Sequence, residues 1–165
     1  MRDPHAREGR DADAGLAEAG GALYAAVAER LGPFVTACVV ARTQDAFGAA
    51  DPVQLAAAEA AGAAASTELL PQLRALLSAD VDTQTTTPLS LLRRAVAHAT
   101  RALADLGVPA VRRDRFLEER FPDDPYDLVP ASMGVLGPDV DELALAWGAA
   151  KARAHRRRHA GGSRF

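Results

Sequence analysis

Residues 87–109, TPLSLLRRAVAHATRALADLGVP, set the tightest limit on what this chain can fold into. Their apolar positions Leu89, Leu92, Val96, Ala99, Leu103 and Leu106 are spaced alternately by three and four. That spacing draws one continuous stripe along an α-helix; a strand, whose faces repeat every two residues, would scatter it. Arg94, His98, Arg101 and Asp105 fall on the opposite face. Thr87 supplies an N-cap, Pro88 suits the first turn, and Gly107 with Pro109 ends the helix. An apolar stripe holds a helix in place only when other elements cover it, so the rest of the chain must supply that cover.

It does so with more helices. From Gly15 to Leu31 the residues Leu16, Leu23, Val27 and Leu31 form a second stripe. Gly32-Pro33 is expected to interrupt it, since proline lacks the N–H that continues the ladder. A new helix starting at Pro33 would put Phe34, Cys38 and Ala41 on one face, and a strand through VTACVV is the weaker alternative. Asp51 caps the next helix with Pro52 at its first position, and LAAAEAAGAAAS lets a neighbour approach closely. Pro71 either kinks one long helix or sits in the first turn of another capped by Ser66 or Thr67. RDRFLEERF predicts a short helix with Leu117 and Phe121 on one side. The last helix begins near Gly137-Pro138, with acids at its start and Lys151 and the arginines at its end. Its buried face is Val140, Leu143, Trp147, Ala150 and Ala154, and Gly148 suggests close approach by another segment.

The expected fold is an all-α, single-domain bundle of about five to six helices over residues 14–156. A flexible N-terminal tail, 1–13, and a basic flexible C-terminal tail, 157–165, flank it.

Alanine occurs 38 times and 18 of the 19 basic residues are arginine, a bias that codon supply in a GC-rich genome explains without any recognition role. The net charge of −3 is unevenly spread: residues 151–165 carry six positive charges and no acid, leaving 13 basic against 22 acidic residues, a net −9, on the remainder. The polar N-terminus has no signal-peptide core, and no apolar run approaches the roughly 20 residues that span a bilayer. Cys38 is the single cysteine. A cytoplasmic protein without membrane association is expected.

RFPDDPYDLVP, residues 120–130, departs most from helical pattern. Prolines at 122, 125, 130 and 138 exclude a regular element, yet Phe121, Tyr126, Leu128, Val129, Met133 and Leu136 are too many apolar groups for a loop left in water. A strap that inserts its aromatics into the bundle accounts for both. Asp123 and Asp124 then serve turns, accepting backbone N–H bonds. Read instead as a pair of carboxylates for acid–base or metal chemistry, they need further polar companions that no motif supplies.

Other chemistry is thinly supported. DVDTQTTTPLSL opens like a calcium loop at Asp80, Asp82 and Gln84, but Thr85 replaces the turn glycine and Leu91 the bidentate glutamate. His155 and His159 are four apart, with three arginines between them that repel a cation. His98 is read as a solvated surface residue and Cys38 as an inert thiol. No phosphate loop, dinucleotide fingerprint or nucleophile elbow occurs. No catalytic residue, metal site or cofactor is assigned. Arg153, Arg156, Arg157 and Arg158 form the strongest candidate binding surface, because clustered arginine contacts phosphates. The same residues complement a helix C-terminus, and an acidic body opposes nucleic acid.

Three stretches, DVDTQTTTPLSLLRRAV, RDRFLEERFPDDPYDLVP and LAWGAAKARAH, together resemble a family of small uncharacterised helical proteins of GC-rich bacteria, over roughly residues 70–156. The resemblance implies a lineage and nothing about chemistry. The expected role is therefore that of a non-catalytic protein-interaction or regulatory protein whose partner is another protein. Asp123, Asp124, Tyr126 and the four arginines are the candidate contact residues. The alternatives are nucleic-acid binding through the basic tail, and an enzyme with a carboxylate site near Asp123 and Asp124.

Overall fold

One long helix gathers the others. The computed structural model describes residues 4–79 and 86–160, and in it α1 runs unbroken over Pro4–Phe47. It is followed by α2 (Pro52–Ser78), α3 (Pro88–Asp105), a short α4 (Arg115–Arg120), a 3-10 turn at Met133–Leu136, and α5 (Pro138–Ala160). No strand occurs among the described residues, and the chain forms an all-α bundle. Helices α2, α3 and α5 all pack on α1.

The expected break at Gly32-Pro33 does not occur. Buried positions recur every fourth residue straight through it, at Leu23, Val27, Leu31, Val35, Val39 and Thr43. Pro33 lies off that face and is exposed, so the bond it cannot make, to the carbonyl of Glu29, is left on the solvent side where water can supply it. Because the register is never reset, Val35 and Val39 are buried where Phe34 and Cys38 were expected; those two are half-buried and Ala41 is exposed. The same physics keeps Pro71, also exposed, inside a continuous α2. Residues 4–13, expected to be a loose tail, belong to α1, and residues 157–160 belong to α5.

Continuity has a further consequence. As one element, α1 is long and apolar enough, by length and composition alone, to cross a bilayer. No such run was expected from a helix ending at residue 31. The property is weak evidence about location, since the central helix of a bundle in water has it too.

The caps follow the sequence. Asp51 and Gln54 form a reciprocal capping box at 2.8 and 2.9 Å, and Thr87 and Ser90 form another. After α3 the chain turns at Gly107 (φ 72°), with Val108 N–H donating to the Leu103 carbonyl and Gly107 N–H to that of Ala104, which satisfies the helix end. The α3 stripe is buried at Leu92, Val96, Ala99 and Leu103 and widened by Leu91 and Ala95.

Small side chains let α1 and α2 cross closely. Thr36 donates to the Ala58 carbonyl at 3.2 Å, and a Cβ placed on Gly62 would overlap Thr36 Oγ1 and the Gly32 carbonyl oxygen. At the start of α5, Arg30 of α1 holds Asp139 with two bonds, 2.6 and 2.8 Å, and also donates to the Leu136 carbonyl. That guanidinium holds the Asp139 carboxyl below the ordinary range. Trp147 is buried as expected, but the close approach is made by Gly20 of α1; Gly148 faces open space.

Candidate functional site

The strap between α4 and α5 is built by its own backbone and by three arginines from outside it. Asp124 is buried, and its carboxylate accepts the Leu128 N–H on both oxygens and the Val129 N–H on one, all at 2.9 Å. A short side chain that reaches four and five residues onward closes this turn, and Asp127 takes the one positive φ of a non-glycine residue among those described, 53°. Tyr126 is 4% exposed, and its hydroxyl donates to the Val108 carbonyl at 2.8 Å. Arg42 of α1 donates to the Tyr126 carbonyl, Arg93 of α3 to that of Pro130, and Arg113 to that of Phe121. Val111 N–H adds a backbone bond to the Pro125 carbonyl.

The two adjacent aspartates are thus unlike. Asp124 is occupied with backbone donors, whereas Asp123 is exposed. They do not converge with His98, which lies elsewhere: its Nε2 is 2.6 Å from Glu68 of α2, and its Nδ1 faces Arg101 at 3.2 Å. His98 was expected to be solvated, but only 13% of its side chain is exposed, because the thirty-residue link to Glu68 folds it into the α2–α3 seam. With Glu68 at one ring nitrogen and Arg101 at the other, His98 ties α3 to α2.

Cys38 lies half-buried near this strap. Burial pushes its thiol up to about 11, the Asp124 charge adds to the effect, and Arg42 opposes it. At pH 8 the thiolate is then about one part in a thousand. Native protein should react with iodoacetamide at least tenfold more slowly than protein in urea, followed by mass spectrometry; equal rates would contradict the buried thiol.

The basic end of α5 lies far from the strap. Arg157 donates to the Glu8 carbonyl and Arg158 reaches Asp13 at 3.6 Å, both on the first turns of α1. Along α1, Asp13 and Arg42 are separated by roughly 44 Å at 1.5 Å per residue, so the candidate residues form two groups. Arg153 and Arg156 are exposed. The rings of His155 and His159 lie 4.4 Å apart, centroid to centroid, tilted by 54°. Among the described residues no group of three or more metal-ligating side chains gathers. Asp80, Asp82 and Gln84 lie outside the described residues.

One surface escaped the sequence reading. Phe47, Val53 and Leu55, at the α1–α2 turn, are 51%, 74% and 41% exposed. Nothing in a pattern of isolated apolar residues near a turn distinguishes a buried anchor from an exposed one. Comparison with protein-family models, curated proteins and solved structures finds no match for this chain.

Proposed function

We propose that this chain is a non-catalytic protein-interaction or regulatory protein of the bacterial cytoplasm, acting on another protein through the α1–α2 turn. The observation that carries the reading is the exposure of Phe47, Val53 and Leu55 within nine residues of chain at one end of the bundle. Large apolar groups left in water gain by meeting a partner's apolar face. The buried side chains of the strap support the non-catalytic part of that reading. Asp124 receives backbone N–H groups and Tyr126 donates to a carbonyl, which is work for a scaffold. Nucleic-acid binding has less support, since Arg157 and Arg158 engage the start of α1.

The test is affinity capture from a bacterial lysate with the parent and with a Phe47→Asp/Val53→Asp double variant of equal helicity. A protein held by the parent and lost from the variant is the expected result. The same proteins on both, or nucleic acid alone, would count against it.

A further inference from the structure

At the opposite end of α1 a groove of about 530 Å³ opens between α1, the end of α2 and the end of α5. That volume is in the range of small-molecule sites. Leu16, Gly20 and Leu77 give it an apolar floor. Two arginines stand at its edge. Arg74 lies over the Tyr24 ring with its guanidinium carbon 4.2 Å from the centroid, and among the described residues it has no carboxylate partner. A cation–π contact of this kind holds the guanidinium over the ring through its charge and does not use up its N–H donors. Arg158 faces Asp13 at 3.6 Å within the same groove, and the described lining, with Asp13, Arg74 and Arg158, carries one net positive charge.

We infer that this groove binds a monoanionic amphiphile, an aliphatic or aryl carboxylic acid, with the carboxylate on Arg74 and the apolar body along Leu16 and Leu77. A guanidinium fork matches a carboxylate with two parallel N–H bonds. A dianion would exceed the single net charge and meet Asp13, and a neutral or cationic amphiphile would leave Arg74 without a counter-charge. The site is distinct from the α1–α2 turn, so either reading can fail without the other.

The groove has its own reporter and its own plug. Trp147, the single tryptophan, lies against Gly20, where an added Cβ would stand 3.6 Å from its ring. Gly21 lines the groove, and a Cβ there meets nothing within 4 Å, so Gly21→Leu can add apolar bulk at the groove wall without a clash at its Cβ. The experiment titrates the full chain with decanoate below its micelle concentration, read by Trp147 fluorescence and calorimetry, with decanol as the uncharged control. The parent should bind decanoate saturably and decanol at least about tenfold more weakly. Arg74→Gln should weaken decanoate by about tenfold or more while leaving decanol little changed, and Gly21→Leu, folded by circular dichroism, should abolish binding of both. Any one of three results overturns the inference: no saturable binding by the parent, equal affinity for decanol and decanoate, or parent-like binding by Gly21→Leu.

Discussion

Tyr126→Ala should lower the unfolding free energy by about 3–5 kcal/mol, the range for truncating a buried aromatic side chain. For a chain of this length that is a fall in Tm of about 6–20 °C. Two losses combine. The ring leaves a space among core residues that the proline-fixed strap cannot close by moving, and the Val108 carbonyl loses its donor just past the end of α3. Tyr126→Phe separates them: it keeps the ring and should cost about 1–2 kcal/mol for the unpaired acceptor. Asp123→Asn, on an exposed side chain of the same segment, should stay within about 0.5 kcal/mol of the parent. Urea denaturation of the four proteins decides the matter. A Tyr126→Ala variant that melts with the parent would remove the strap from the core and return the segment to the list of contact surfaces.

How far such features could be read from the chain depended on whether their cause was local. The α3 stripe and its caps were legible, because a three–four spacing ended by Thr87-Pro88 and Gly107 involves only neighbouring residues. Pro33 was misread because a proline breaks a helix only when the face that loses the bond cannot be solvated. The signal was present all the same, in the four-residue spacing of Leu31, Val35 and Val39 across it. That an aspartate of the strap serves a turn was legible too, but the turn bonds fall on Asp124 and not on Asp123, a choice set by the register of a turn that passes through Asp127 at positive φ. Arg42, Arg93 and Arg113 gave no sign that they hold the strap's carbonyls, since in sequence they are ordinary helix or loop arginines. The groove was invisible for the same reason: Tyr24, Arg74 and Arg158 meet only after three helices have packed.

Gly62 supplies the sharpest test of that packing. Within a helix, glycine to alanine normally stabilises by about 0.5–1 kcal/mol, because glycine loses more backbone freedom on folding. Gly148→Ala, in open space on α5, should follow that rule. Gly62→Ala should reverse it. Its new methyl would overlap Thr36 Oγ1, which can rotate, and the Gly32 carbonyl oxygen, which cannot move without shifting α1 itself. Overpacking costs about 1–3 kcal/mol, so after the propensity gain the net loss should be about 1–2 kcal/mol. Gly62→Val adds two more carbon atoms at the same contact and should lose about 3 kcal/mol, with the Thr36 bond to the Ala58 carbonyl broken. The comparison needs only denaturation midpoints of the three variants against the parent. The two alanine variants should move in opposite directions; if Gly62→Ala were as stable as the parent or more so, α1 and α2 could not cross as closely as the Gly32–Gly62 contact requires, and the bundle's central seam would have to be redrawn.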